Sequence, residues 1–168
     1  MQEPTTSPGT EPFQEVVAGL DVPMFVVTAA SGGERSGCLV GFSTQTSIDP
    51  PRFLICISRA NHTFGVAMAA DVLGVHLLRA GDHAMAERFG ARTGDHVDKF
   101  AGLDVADGPG GAPVLGGLDW FAGRVLARWD GGDHVACLLE PFAGAVLWGD
   151  DAPLGYQDVT DVDPAHPA

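Results

Sequence analysis

Two clusters of hydroxyl and amide side chains stand on either side of a short apolar run in the first half of the chain. The first is Ser43, Thr44, Gln45, Thr46 and Ser47; the second is Ser58, Asn61 and Thr63, with Arg59 and His62 among them. Between them lie Asp49-Pro50-Pro51 and the seven residues 52–58, RFLICIS. Hydroxyls and amides donate and accept hydrogen bonds, but a serine attacks only when a partner activates it, and no G-x-S-x-G elbow is present. Paired strands that bring the clusters together would let them wrap a phosphate and a flat polar ring. The pattern therefore predicts a small-molecule cofactor site, with Arg52 and Arg59 flanking it where a phosphate calls for positive charge. The plainer reading of the same residues is strand-end and capping chemistry.

Other constellations are weaker. No G-x-G-x-x-G follows a strand and no P-loop occurs, so a pyridine nucleotide would have to bind without a domain of its own. Gly-Asp-His occurs three times, at 81–83, 94–96 and 132–134. In the first two, Asp82 and Asp95 read as helix N-caps and the histidines as exposed first-turn residues. The third opens a strand after a tight turn, so a rigid ladder would aim the His134 imidazole; a solvated turn histidine is the competing reading. None of the six histidines pairs with another at i, i+2 or i, i+4, so no metal site is expected. His76 alternates within an apolar strand and reads as a hydrogen-bonded core residue. Cys38, Cys56 and Cys137 show no C-x-x-C spacing and read as buried small hydrophobes.

The elements that must position these residues are short and turn-rich. With 168 residues, 45% of them apolar, 23 Gly and 12 Pro, the chain reads as one β-rich domain with a single substantial core. Residues 13–20 suggest a short helix. Strands are expected at 23–30, 38–44, 52–58 (buried on both faces), 72–78, 118–129 and 134–148, with turns at Ser31-Gly32-Gly33-Glu34 and Asp130-Gly131-Gly132-Asp133. Helices are expected at 64–70, capped by Asn61 or Thr63, and from Asp82 through Phe89, closed by Gly90. Residues 108–117 read as loop. Along 118–129, Phe121, Gly123, Val125, Ala127 and Trp129 would share one apolar face, with Arg124 and Arg128 on the other. Six or seven antiparallel strands suggest a small mainly β barrel whose closure removes the edge strands. The expected organisation is a flexible acidic arm at 1–15, the domain at 16–156 and a flexible acidic tail at 157–168.

Net charge is −13, and its placement is uneven. All nine Lys and Arg fall between Arg35 and Arg128, where nine acids balance them, so the two ends carry the whole excess. Such a chain repels a nucleic-acid backbone. No apolar run approaches the ~20 residues of a membrane span, and residues 1–15 do not read as a signal peptide, so a cytoplasmic location is expected.

In order along the chain, Gln45-Thr46-Ser47-Ile48-Asp49-Pro50-Pro51, then residues 58–63, then Ala86-Glu87-Arg88-Phe89, Lys99-Phe100-Ala101-Gly102, Gly132-Asp133-His134 and Gly155-Tyr156 together resemble the flavin reductase-like family of FMN-binding split barrels. The likeness runs over 22–156. It implies a Greek-key split barrel, a homodimer with flavin in a groove near the subunit interface, and FMN or FAD as cofactor. Ser43, Thr44, Gln45, Thr46 and Ser47 would line the isoalloxazine and ribityl chain. Ser58, Arg59, Asn61 and Thr63 would hold the phosphate, aided by the helix N-terminus that follows. Lys99 and Phe100 would contact the flavin or its phosphate. His134 would lie over the ring where a nicotinamide stacks. Two positions depart from the pattern: Leu39 and His62 stand where many members carry hydroxyls, and His62 could offer phosphate a charge-assisted contact instead.

The activity implied is hydride transfer from NADH or NADPH to flavin, with reduced flavin kept or handed to a partner monooxygenase. A flavin carrier without reductase turnover is the alternative, and a barrel holding haem or a deazaflavin a third.

Overall fold

The computed structural model describes residues 9–91, 97–147 and 149–162. The expected cap at Asp95 and its neighbour His96 lie outside the described residues. Helix α1 (Glu11–Ala18) precedes the hairpin of β1 (Phe25–Ser31) and β2 (Glu34–Val40). Its two-residue loop is Gly32-Gly33, both at positive φ (60° and 83°), the backbone that a tight hairpin with right-handed strand twist requires. Next come β3 (Ser43–Ser47), β4 (Arg52–Ser58), α2 (Thr63–Ala69), β5 (Val72–Leu77) and α3 (His83–Gly90). The chain continues through β6 (Val105–Asp107), β7 (Pro113–Leu115), β8 (Asp119–Asp130) and β9 (His134–Ala145), and a 3₁₀ turn follows at Tyr156–Val159.

Seven strands form one antiparallel sheet in the order β2-β1-β5-β8-β9-β4-β3. Its two outermost strands, β2 and β3, are consecutive in the chain and joined only by Gly41 and Phe42. The sheet must therefore curl until its ends nearly meet, yet no ladder joins β2 to β3. This is the expected mainly β split barrel, with β2 and β3 as the outermost strands of its sheet among the described residues.

Three other expectations change. The strand predicted over 38–44 breaks at Gly41-Phe42, because β2 pairs with β1 while β3 pairs with β4, and the Phe42 carbonyl turns to accept from the Cys56 amide at 2.9 Å. Within the predicted loop 108–117, Pro113–Leu115 pairs with Val105–Asp107, and the buried Thr28 hydroxyl donates to the Pro113 carbonyl at 2.6 Å. The alternation predicted on β8 is broken by bulges at Ala122/Gly123 and Val125/Ala127. As a result Trp129 is exposed, while Arg128 turns to donate to the carbonyls of Ala67 and Ala70, closing the C-terminal end of α2.

Two apolar clusters hold the fold. One fills the curl of the sheet: Val27, Ala29, Ile55, Ile57, Leu73, Val75, Cys137 and Leu139, plugged by Val66 and Ala67 of α2. The other lies outside it beneath α3: Met24, Val26, Leu78, Phe89, Phe100, Leu115, Leu154 and Val159. Burial on both faces thus belongs to β1, which feeds both clusters. In β4 only Ile55 and Ile57 are fully buried, because Phe53, Leu54 and Cys56 are half-exposed. Val159 sits in the second cluster, and the Gln157 side chain donates to the carbonyls of Ala18 and Leu20. The segment following Tyr156 is therefore packed onto the body as far as residue 162.

His76 is the hydrogen-bonded core residue expected. The Leu115 amide donates to its Nε2 at 3.0 Å, which leaves the proton on Nδ1 to donate to the Val26 carbonyl at 3.1 Å. Burial pushes its pKa down to about 4. Cys38 and Cys137 are buried and Cys56 half-buried, all three as free thiols.

Candidate functional site

The apolar run 52–58 carries the site as strand β4. Its register sets Ser43 opposite Ile55, Gln45 opposite Phe53 and Ser47 opposite Arg52 on one side, and Ser58 opposite His134 on the other. Ser58 and His134 pair at one end of the β3-β4-β9 segment, where the Phe42 ring meets that of His134, while Ser43 lies three rungs in, opposite Ile55. Ser47 lies four residues further along, about 13 Å away at the rise of a strand.

Among the described residues β3 pairs only with β4, so its outer edge offers a row of backbone donors and acceptors. Thr44, Gln45 and Thr46 are exposed along it, and Ser47 is half-buried. Ser43 is different. Its hydroxyl is buried and has no hydrogen-bond partner among the described residues. An orphaned buried hydroxyl costs free energy unless something bonds it, which a polar ligand laid along this edge would do. The residues present therefore fit a flat polar ring.

The second cluster is organised differently from expectation. The Asn61 side chain accepts from the Thr63 amide at 3.0 Å and caps α2, its alternative reading. The Phe64 amide donates to the Asn61 carbonyl, so the leading amides of α2 are already engaged. Thr63 is fully buried, its hydroxyl 2.7 Å from that of Ser36 on β2. The Ser58 hydroxyl accepts from the Ala60 amide. Arg59 reaches away from the cluster: its Nε donates to the Gly132 carbonyl at 3.0 Å and its Nη2 to Asp130 at 3.1 Å. His62 is half-buried, with Nε2 2.9 Å from the Glu34 carboxylate.

Beside His62 a cavity of about 260 Å³ is lined by Glu34, Arg35, Ser36, Asp98, Lys99 and Phe100. Lys99 is 6% exposed and donates to the carbonyls of Gly37 (3.3 Å) and Phe89 (3.1 Å), leaving one of its three N–H groups unassigned. Burial lowers its pKa, against the opposing pull of Cys38. Phe100 packs edge-on against Phe89, with the Arg35 guanidinium 5.1 Å above its ring. Arg35 and Lys99 bring positive charge to this cavity, where Glu34 and Asp98 also line it.

His134 stands at the start of β9 with its ring 4.9 Å from that of Phe42, and its Nδ1 lies 2.6 Å from the Asp133 carboxylate. That contact holds the Asp133 pKa below the usual carboxylate range. Phe42 is 62% exposed, an apolar ring at the lip of the site. Sequence reasoning missed Phe42, Glu34, Arg35 and Ser36. An aromatic placed in a hydroxyl-rich loop was a signal for the first; the others sit in a hairpin that reads as an ordinary turn.

The His83-bearing Gly-Asp-His has a structural role. Asp82 occupies the N-cap position of α3, but its carboxylate accepts from the Arg79 amide at 2.7 Å, while His83 contacts Asp161 at 2.9 Å.

A curled antiparallel sheet with an open polar edge, a charged cavity and a histidine held by its neighbours defines a split barrel. The Flavin reductase like domain profile matches residues 17–162, and the chain belongs to that family. It is 28% identical over 107 residues to "FMN reductase (NADH) RutF" of Ancylobacter novellus, covering 64% of this chain and 59% of that protein. It is 32% identical over 85 residues to "Flavin-dependent monooxygenase, reductase subunit HsaB" of Rhodococcus jostii, covering 48% and 42%. The chain thus spans about half the length of these curated relatives. Among solved structures, the Streptomyces globisporus NADH:FAD oxidoreductase SgcE6 superposes with a TM-score of 0.77 at 24% identity, covering 91% of each chain. That likeness establishes the shared fold.

Proposed function

We propose that this protein is an NAD(P)H:flavin oxidoreductase. The observation that carries the reading is an open strand edge with the orphaned Ser43 hydroxyl, next to which Phe42 meets the ring of His134. Family membership and the named reductase activities of relatives support it. When bound, a flavin supplies a ring that accepts hydride from a reduced nicotinamide. The chain's own work is placement. The backbone edge of β3 and Ser43 would hold the ring, with Thr44, Gln45, Thr46 and Ser47 along the ribityl path. Arg35, Lys99 and His62 would draw the phosphate toward their cavity, and Phe42 would shield the ring from water. With Nδ1 held by Asp133, His134 would turn its Nε2 toward the nicotinamide carboxamide.

The finer assignments follow the same reading. FMN with NADH or NADPH is the expected pair, with FAD an alternative cofactor, and a flavin-dependent monooxygenase is the proposed recipient of reduced flavin, as the name of the Rhodococcus relative suggests. No helix among the described residues is long and apolar enough to cross a membrane; a cytoplasmic location is proposed on the same footing. A homodimer accounts for two uncovered apolar surfaces. Helix α1 buries none of its residues although Phe13, Val16 and Val17, with Leu20 just beyond, follow helical spacing along one stripe. At the mouth of the curl, Phe25, Leu77, Trp120, Phe121 and Val146 line an apolar groove of about 490 Å³. A two-fold pair of chains exposes each surface twice and can cover both.

The test is direct. Purified protein should bind FMN or FAD with a raised melting temperature and catalyse flavin-dependent oxidation of NADH or NADPH. Binding without oxidation selects the carrier reading, and neither result overturns both.

A further inference from the structure

We infer that Arg59 and Asp130 form a positioning pair for His134, setting the nicotinamide side of the site, and that Arg59 does not serve as a phosphate ligand. The inference rests on the flavin reductase reading of the site.

Arg59 sends three donors into the β8–β9 turn. Its amide donates to the Asp133 carbonyl at 2.9 Å, its Nε to the Gly132 carbonyl at 3.0 Å and its Nη2 to Asp130 Oδ1 at 3.1 Å. The same Oδ1 accepts from the Gly132 amide at 2.9 Å, so one carboxylate oxygen ties the turn to itself and to Arg59. On its other side the guanidinium lies 5.6 Å from the centre of the Phe64 ring, which limits the directions it can take.

The turn needs such a restraint. It contains Gly131 and Gly132, the latter at φ +109°, a backbone that only glycine enters readily and that carries no side chain to pack. His134 follows directly. It pairs with Ser58, the residue preceding Arg59, so the clamp and the imidazole occupy adjacent rungs of one ladder. The imidazole direction is then completed by Asp133 at Nδ1 and by the Phe42 ring. Displacing the turn moves Asp133 and His134 together. Arg59 and Asp130 are well exposed (side chains 45% and 76%), so their removal does not threaten the core.

The experiment compares wild type, Asp130→Ala, Asp130→Glu and Arg59→Lys. It reads FMN affinity by fluorescence quenching, steady-state kinetics with NADH, and the proton NMR shift of the His134 ring in flavin-free protein. The Phe42 ring current makes that signal a gauge of where the imidazole lies. In Asp130→Ala the His134 signal should move toward that of a free histidine. KM for NADH should rise about tenfold, with kcat and FMN affinity changed less than about twofold, because misplacement on one side of the site weakens only what docks there. Asp130→Glu and Arg59→Lys, which keep a charge pair, should recover part of the ring shift and of KM.

An unchanged ring shift together with an unchanged KM in Asp130→Ala overturns the inference. So does a fall in FMN affinity in Arg59→Lys without a change in KM, which would return Arg59 to the phosphate. Failure of the flavin reading shows separately, as wild-type protein that binds no FMN. The ring signal would then still decide whether the pair holds His134, and an unmoved signal would refute it.

Discussion

The hydroxyls of Ser36 and Thr63 lie 2.7 Å apart inside the protein, fastening the outermost strand β2 to the first turn of α2. This one bond joins two walls of the charged cavity, since Ser36 lines it directly and Thr63 follows His62 in the chain. It also explains why Thr63 is not free for a ligand.

Removing either hydroxyl should therefore destabilise the fold, and not equally. Thr63→Val leaves the Ser36 hydroxyl buried without its partner and should cost about 1–3 kcal/mol in denaturant unfolding. Ser36→Ala should cost more, because it strands the fully buried Thr63 hydroxyl, whereas Ser36 lines the cavity. The double variant should cost less than the two singles summed.

Lys99→Met should act on both stability and ligand. Loss of the ammonium strands the Gly37 and Phe89 carbonyls, which calls for about 2 kcal/mol of destabilisation. Loss of one positive charge from the cavity should weaken FMN binding about tenfold while leaving riboflavin, which lacks the phosphate, nearly unaffected. Equal effects on FMN and riboflavin would place Lys99 away from the phosphate.

His76 makes stability depend on pH. Its folded pKa of about 4 lies below the ordinary value of 6.5, so its contribution is fully present above pH 6.5. Below that, the unfolded chain takes up a proton that the folded chain refuses, and stability falls until about pH 4. The full loss is about 3 kcal/mol, with a slope of about 1.4 kcal/mol per pH unit in mid-window. Urea titrations between pH 4 and 7 should show this slope in wild type and lose it in His76→Gln.

His134→Ala should lower kcat/KM for the reduced nicotinamide about tenfold or more through KM, with flavin affinity preserved. Phe42→Ala should reproduce part of this loss, because the ring it removes packs against the imidazole. Untouched kcat and KM in His134→Ala would remove that residue from the site.

Much of the fold was legible locally. The 52–58 strand was predicted with its observed bounds because a proline pair ends the chain on one side and a polar cluster on the other. The Gly32-Gly33 and Gly131-Gly132 turns were equally clear, since positive φ at Gly32, Gly33 and Gly132 favours glycine. His76 was correctly read as a core residue from its place in an apolar alternation. The break at Gly41-Phe42 was not legible, because it comes from β2 and β3 choosing different partners. Nor were the β8 bulges, which depend on a ladder to a strand across a turn.

The site divides along the same line. Residue type marked the hydroxyl-rich 43–47 segment, residues 58–63 and His134 as candidates for a cofactor site, and the family resemblance added Lys99-Phe100. Which of them keep bonding groups free was decided only in three dimensions. Asn61 spends its side chain on a helix amide, Thr63 on Ser36, Lys99 on two carbonyls and Arg59 on a distant turn. Ser43 alone of the buried hydroxyls is left without a partner among the described residues. Composition and spacing set what a side chain is able to bond. Long-range pairing of strands sets which partner reaches it first, and a bond made inside the fold is no longer free for a ligand.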